Sequence, residues 1–455
     1  MGENLERLNE LFNRKSIIKV GSGEEIKKQL HEDGKLTARE RILKLLDDNS
    51  FVENGAFVKG RYKENTHCDG VITGYGNVFG RLVFVYAQDS TVLNGSVGEM
   101  HAKKICEIYD KALKMGAPVI GLIDSCGARK SEGLEALSVY GEIFKAMTSA
   151  SGIIPQIIAV MGECGGSTSI ITGLSDFIFI VSDKSKIYMD NLENSKTDSN
   201  MVHFISKNEE SCISEMRKLI DIIPSNNMED APFFGTGDDI SRVDEFLNTI
   251  VPENDEDTVD MEKIIRTIAD NGEFIEVQKH FSDEIKEGFI RINGYTAGVV
   301  ANNSYDITYH GNDKALKFIS FCDAFNIPII TFTDAAGYNE KSSHTAIIKS
   351  TAKLIALFAN ATCPKINIIV RKAFGNPYLL MNSKHIGADI VFAWPTANVS
   401  FDKSNSEGLY FAAEKGYIDD IIEPAYTRKY IADVLEMLSM KREGKPSRKH
   451  SAFTI

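Results

Sequence analysis

Gly116-Ala-Pro-Val-Ile-Gly-Leu-Ile-Asp124 and Asn326-Ile-Pro-Ile-Ile-Thr-Phe-Thr-Asp334 are one pattern written twice. In each, a proline precedes a run of apolar, β-branched or Thr residues that closes on aspartate. Pro118 and Pro328 stand 210 residues apart, as do Asp124 and Asp334. Upstream at the same offset, Lys104 to Pro118 matches Lys314 to Pro328, two helix-like stretches of equal length. Downstream, Pro155-Gln-Ile-Ile-Ala-Val-Met161 matches Pro364-Lys-Ile-Asn-Ile-Ile-Val-Arg371. A glycine turn follows in each copy, Glu163-Cys-Gly-Gly-Ser-Thr168 and Ala373-Phe-Gly-Asn-Pro-Tyr378, which sets Gly165 opposite Gly375. A further strand comes after it, Ser175–Val181 in one copy and Ala388–Trp394 in the other. The reading is a tandem duplication of about 200 residues.

Short β-branched runs alternating with helical stretches give an α/β class. Val119–Ile123 and Ile329–Thr333 have the continuous apolar or Thr-rich character of strands covered on both faces. The charged, apolar-poor stretch Val251-Pro-Glu-Asn-Asp-Glu-Asp-Thr258 predicts a linker, hence domains 1–250 and 251–455. Thr37 and Glu40 stand at capping-box spacing before Ile42-Leu-Lys-Leu-Leu46, an amphipathic helix with a structural role.

Composition narrows the function. The 455 residues are 43% hydrophobic and 25% charged, enough for a large core and no match for a disordered chain. No apolar run is long enough to span a bilayer, and the polar start, Met1-Gly-Glu-Asn-Leu-Glu6, does not read as a secretory signal. A formal charge of −13 argues against a nucleic-acid binder but leaves room for a small anionic ligand at a local basic site. The seven cysteines form no CxxC pair, and the nine histidines show no HExxH spacing. Neither a disulfide framework nor a metal centre is expected, and a reducing cytoplasm is the expected home.

Chemistry is expected where each copy's strand runs through a glycine-rich turn into a helix. The first N–H groups of a helix have no intrahelical acceptor and carry the positive end of its dipole. Aimed at a carbonyl oxygen that gains charge, they form an oxyanion hole. One candidate joins Cys126-Gly127 to Gly165-Gly166; its counterpart joins Ala336-Gly337 to Gly375-Asn376. Glycine lets the backbone approach a ligand closely.

The sequence resembles the carboxyltransferase (β) subunits of biotin-dependent acyl-CoA carboxylases of the propionyl-CoA carboxylase type, and is similar to the α subunit of methylmalonyl-CoA decarboxylase. The resemblance is carried by Leu36-Thr-Ala-Arg-Glu-Arg-Ile42, Gly70-Val-Ile-Thr-Gly74, Gln88-Asp89, His101-Ala-Lys-Lys-Ile-Cys106, Gly127-Ala-Arg129 with Glu132-Gly133, Phe321–Pro328, Arg371-Lys-Ala373, Ser383-Lys-His385 and Ala393-Trp-Pro-Thr-Ala397. It implies two crotonase-like domains, each a ββα spiral, in a homohexamer whose sites lie between the N-terminal domain of one subunit and the C-terminal domain of another. It also implies carboxyl transfer between biotin on a separate carrier and a short acyl-CoA such as propionyl-CoA, without a metal. By resemblance, Gly127, Gly165 and Gly166 hold the thioester carbonyl, Gly337, Gly375 and Asn376 face biotin, and Arg129 assists CoA binding or forms a structural ion pair.

Departures from the family gather on the biotin side. The usual Gly-Gly-Ala is Gly375-Asn376-Pro377 here, and proline has no N–H to donate. The usual Ala-Gly-Gly is Gly165-Gly166-Ser167. A Gly-Gly-Ile-Ile-Arg-His-Gly segment becomes the more crowded Thr345-Ala-Ile-Ile-Lys-Ser-Thr351. An acidic residue that influences acyl choice aligns with Leu379, and the chain is shorter after Asp190. Met440-Lys441-Arg442, in a tail that reads as helical, does not read as a biotin acceptor, so biotin carrier and biotin carboxylase, or membrane decarboxylase subunits, would be separate chains. Three readings stand: a biotin-dependent carboxyltransferase, a biotin-independent acyl-CoA decarboxylase, and a silent scaffold subunit.

Overall fold

Val119–Ser125 and Ile329–Ala335 are strands buried along their whole length, as the central members of a covered parallel sheet must be. The computed structural model describes residues 3–20, 23–60, 67–190, 200–303, 306–339, 343–402, 404 and 408–447. Its strands in the first half are β1 (Val52–Asn54), β2 (Val71–Val78), β3 (Arg81–Gln88), β4 (Val119–Ser125), β5 (Gln156–Gly165), β6 (Phe177–Val181), β7 (Lys186–Tyr188) and β8 (Phe204–Ser206). Those of the second half are β9 (Ile275–Val277), β10 (Ile285–Ile292), β11 (Tyr295–Asn302), β12 (Asp306–Ile307), β13 (Ile329–Ala335), β14 (Gly337–Tyr338), β15 (Lys365–Phe374), β16 (Ile390–Ala393), β17 (Asn398–Ser400) and β18 (Asp420–Ile421).

The first sheet runs β1-β2-β3-β4-β5-β6-β8, with β7 on β5; the second runs β9-β10-β11-β13-β15-β16-β18, with β17 on β15. In both, the first three strands are antiparallel and the remainder pair in parallel. The duplication read from the sequence is therefore a duplication of topology. Even the pairing of β12 with β14, which sets Ile307 opposite Tyr338, has a first-half counterpart in the Val97–Ala128 bridge, 210 residues earlier.

Local chemistry repeats as well. The helices Glu99–Met115 and Tyr309–Ala324 are followed by left-handed residues, Gly116 at φ +61° and Asn326 at φ +52°. Each is then closed by a bond from the next N–H five residues back, Ala117 to Ala112 and Ile327 to Cys322. This is a Schellman stop, which glycine satisfies best and asparagine second. Lys104 and Lys314 are buried at equivalent places and donate to backbone carbonyls, those of Cys68 and Val71 in one half and of Gln278, Phe281 and Ile285 in the other. The capping box at Thr37 forms as expected.

Two compact units result, Met1–Asp221 and Ile222–Ile455, each with its own apolar core. The division thus falls ahead of the expected position after residue 250. Residues 222–250 pack with the second unit: Thr296 Oγ1 donates to Ile222 O, Asp244 N to Ala425 O, and Leu247 enters its core. The charged stretch at 251–258 is no linker, because its carbonyls are acceptors within that unit: Asp257 O for Arg371 and Asp255 O for Lys372. The C-terminal helix ends at Leu438, so Met440–Arg442 lies beyond it rather than within a helical tail, and Lys441 is held by Asp389 and Cys363 O. The expected shortening after Asp190 falls at residues 191–199, outside the described residues. Among the described residues no helix is long and apolar enough to cross a membrane.

Candidate active site

The two aspartates of the repeated motif build the same device. β4 and β5 pair regularly from Val119–Gln156 to Ile123–Val160, then resume at Ser125–Cys164; β13 and β15 pair from Ile329–Lys365 to Thr333–Ile369, then resume at Ala335–Ala373. In each half the longer strand bulges opposite the aspartate. A bulge frees a backbone N–H that must find a partner. Asp124 Oδ1 accepts from Glu163 N at 3.2 Å, and Asp334 Oδ1 from Lys372 N at 3.0 Å. Both carboxylates are buried and each meets an arginine: Arg41 at 3.1 Å, which also grips Glu209 at 2.7 Å, and Arg371 at 2.9 Å.

The ladder also fixes which turn residues correspond. Cys164 is equivalent to Ala373, and Gly166 to Gly375, both at φ +54°. The sequence reading had set Gly165 against Gly375. The offset is 210 through the helices Leu134–Ala150 and His344–Asn360, but the loop that follows is one residue shorter in the second half, and from Pro155 and Pro364 onward it is 209. Thr168 therefore corresponds to Pro377, and Ser167 to Asn376.

In the first half, Gly127, Gly165 and Gly166 do come together. A Cβ on Gly127, at φ +109°, would stand 2.9 Å from Gly165 O, so only glycine permits this approach. Two of their N–H groups are nonetheless committed elsewhere. Gly127 N donates to Ser125 Oγ at 3.2 Å and Gly166 N donates to Tyr188 O at 2.9 Å, while Gly165 pairs with Tyr188 in the ladder. Ser167, the first residue of the helix Ser167–Leu174, is half-buried and its N–H has no intrahelical acceptor; the N–H of Thr168 has none either but belongs to a fully buried residue. Cys126 is exposed, its thiol being pushed up by its partial burial. Arg129 is not available to a ligand: its buried guanidinium is bound by Asp69 at 2.7 Å, Glu132 at 2.9 Å and Ser96 O at 2.9 Å.

Tyr188 was not singled out by the sequence, where a lone tyrosine carries no spacing signal. Its ring lies over Gly165, where a Cβ would approach Cζ and Oη to 2.6 Å. Its hydroxyl donates to Glu163 Oε2 at 3.1 Å, and burial with the Glu163 charge pushes it up to about 12.

In the second half, the helix Gly375–Leu380 contacts β14, which carries Gly337. Gly375 and half-buried Gly337 keep their places at the turn, and Asn376 is exposed. Pro377 sits buried in the helix's first turn, at the place of Thr168 in the first half, where its missing N–H breaks no helical bond. Leu379 is half-buried against an apolar cluster that includes Tyr378, Val391 and Leu409. The segment Thr345–Thr351 lies within the helix His344–Asn360. Among the described residues no group of three or more His, Cys, Asp and Glu is placed to hold a metal.

The model of the carboxyl transferase domain matches residues 29–197 and 189–401. The chain is 40% identical to the methylmalonyl-CoA decarboxylase subunit alpha of Veillonella parvula over 99% of both chains. It is 38% identical to the propionyl-CoA carboxylase beta chain of Cereibacter sphaeroides, over 98% of this chain and 99% of the relative. The crystal structure of transcarboxylase 12S, a hexamer with methylmalonyl-CoA and methylmalonic acid bound, superposes with a TM-score of 0.95 at 33% identity over 100% of both chains.

Proposed function

The chain belongs to the carboxyl transferase domain family, and on that premise we propose how its two halves divide the work of an acyl-CoA carboxyltransferase. The first half takes the acyl-CoA, with the thioester oxygen facing the Ser167 N–H group. Transfer of a carboxyl group to or from the α-carbon passes through an enolate, whose charge rests on that oxygen. A fixed N–H donor at the positive end of a helix stabilises this charge more than it stabilises the neutral carbonyl. One observation carries the reading: the first-half helix opens at half-buried Ser167, whose N–H has no intrahelical acceptor, beside a loop kept narrow at Gly127.

The second half takes biotin, borne on a separate carrier chain, which when bound supplies the carboxyl group. An oxygen acceptor would meet the N–H of exposed Asn376, and Pro377 can add no second donor. That deficit favours slow exchange on this side, and it is the observation behind a second reading, a biotin-independent acyl-CoA decarboxylase. A short acyl chain such as propionyl is in keeping with relatives named for propionyl- and methylmalonyl-CoA. A hexamer, as in transcarboxylase 12S, and a biotin carboxylase or membrane decarboxylase subunits as partners complete the proposal. Seven unpaired cysteines support a cytoplasmic site of action.

Ser167→Pro tests the first-half assignment, since proline fits the first helical position while removing one donor. Carboxyl transfer between methylmalonyl-CoA and free biotin should fall roughly a hundred- to a thousandfold. Wild-type turnover in a folded variant would end the assignment.

A further inference from the structure

Behind the first-half turn, three hydroxyls meet in the protein interior. Tyr140 Oη lies 2.5 Å from Thr168 Oγ1, Thr168 Oγ1 donates to Ser125 Oγ over a long 3.5 Å, and Ser125 Oγ accepts the Gly127 N–H at 3.2 Å. The exposures of Tyr140, Thr168 and Ser125 are 1%, 0% and 0%. They come from three elements: the helix Leu134–Ala150, the helix Ser167–Leu174 and the end of β4.

The fold does not require this relay. The second half builds the same elements in the same places with Ser350, Pro377 and Ala335 at the equivalent positions. Ser350 Oγ turns away to Ile347 O and accepts from Asn312 Nδ2 at 3.0 Å. A chain of hydroxyls that one half keeps and its structural twin discards answers to something other than folding. What the relay adjoins in the first half is the helix start, whose first residue, half-buried Ser167, carries an N–H with no intrahelical acceptor.

We propose that Ser125, Thr168 and Tyr140 are positioning residues, which lock the helix start that carries the Ser167 amide and the Gly127 loop at a fixed separation so that the hole is formed before substrate arrives. The inference rests on the reading of the first-half turn as the thioester site. Buried hydroxyls that satisfy one another in a low-dielectric interior polarise each other and restrict the backbone that carries them. An oxyanion hole lowers the barrier only to the extent that its donors need no rearrangement as charge develops. The relay therefore acts on kcat and leaves ground-state binding almost untouched.

The test compares kcat and KM for methylmalonyl-CoA in Ser167→Pro, Thr168→Val, Thr168→Ser and Tyr140→Phe of the full-length protein. Thr168→Val, which keeps the side chain's shape, should lower kcat roughly ten- to a hundredfold with KM within about twofold. Thr168→Ser should restore most of the rate, and Tyr140→Phe should fall between. If Ser167→Pro is as active as wild type, the thioester site itself is misassigned. If Ser167→Pro is inactive while Thr168→Val and Tyr140→Phe keep wild-type kcat, or change KM alone, the relay proposal is overturned and the site assignment survives. Should Thr168→Val fail to fold, Tyr140→Phe decides by the same criterion.

Discussion

The two halves share their strand order, their bulged strand and its aspartate, their helix stops and a buried lysine, yet diverge where a helix opens after β5 and β15. In the first half that opening is Gly166-Ser167-Thr168, braced by Tyr188 in front and by Ser125 and Tyr140 behind. In the second it is Gly375-Asn376-Pro377, with no hydroxyl at the equivalent of Ser125 and no donor at the equivalent of Thr168. Duplication supplied one scaffold twice. What separates the halves is the wiring of a few N–H groups, which costs the fold little because all of them lie at chain ends of secondary structure, where no ladder bond is lost.

The charge clamps offer the largest lever on this comparison. Arg41 joins two buried carboxylates, Asp124 and Glu209, whereas Arg371 meets Asp334. Arg41→Met strands two buried charges and should destabilise the first unit by about 3–5 kcal/mol. Arg371→Met should cost less, and denaturant unfolding followed separately in each half would rank them; an equal or reversed ranking breaks the comparison.

The turn itself comes next. Asn376→Gly with Pro377→Ala returns the missing donor to the second half. Transfer to free biotin should rise by roughly tenfold or more, with the ceiling near the hundred- to thousandfold value of one oxyanion donor. A wild-type rate already typical of the relatives, with no gain in the double variant, would show that Pro377 does not limit this side.

A further difference concerns pH. Glu287 on β10 is fully buried, neither carboxylate oxygen has a hydrogen-bond partner among the described residues, and burial pushes it up to about 8, against the pull of Lys314. The equivalent residue on β2 is Thr73, which cannot titrate. An acid whose folded pKa is raised holds its proton in the folded state after the unfolded chain has lost it. The second unit should therefore lose stability as pH rises from about 4.5 to about 8, with a slope of up to roughly 1.4 kcal/mol per pH unit. Glu287→Gln should flatten that slope and leave the first unit unchanged, and thermal melts across this range would detect it.

The smallest effect is expected at the helix stops. Gly116→Ala places a Cβ at positive φ and should cost about 1 kcal/mol. Asn326→Gly at the twin position should be neutral or slightly stabilising. Similar losses in both would mean that the two stops are not equivalent.

Much of this was legible in the residues alone. The repeated Pro–strand–Asp motif fixed the number of copies and the central strands, since hydrophobic period and turn chemistry are local properties. Thr37 and Glu40 announced a cap that forms, and the glycine turns marked where the helices open. The resemblance brought the family within reach, and the shared topology of the two sheets agrees with it. The charged stretch at 251–258 misled, because composition reports how polar a segment is and not whether its carbonyls serve a neighbouring arginine.

The sequence by itself determined that there are two copies of one α/β unit, that a glycine turn ends a central strand in each, and that Pro377 cannot donate. Tertiary structure alone decided which N–H groups remain open. That choice depends on partners far along the chain: Tyr188 O takes the Gly166 N–H, Ser125 takes that of Gly127, and the bulge opposite Asp124 and Asp334 sets the register by which Thr168 stands where Pro377 does. A helix start announces donors in its sequence, but whether they are free is settled by what folds back to meet them.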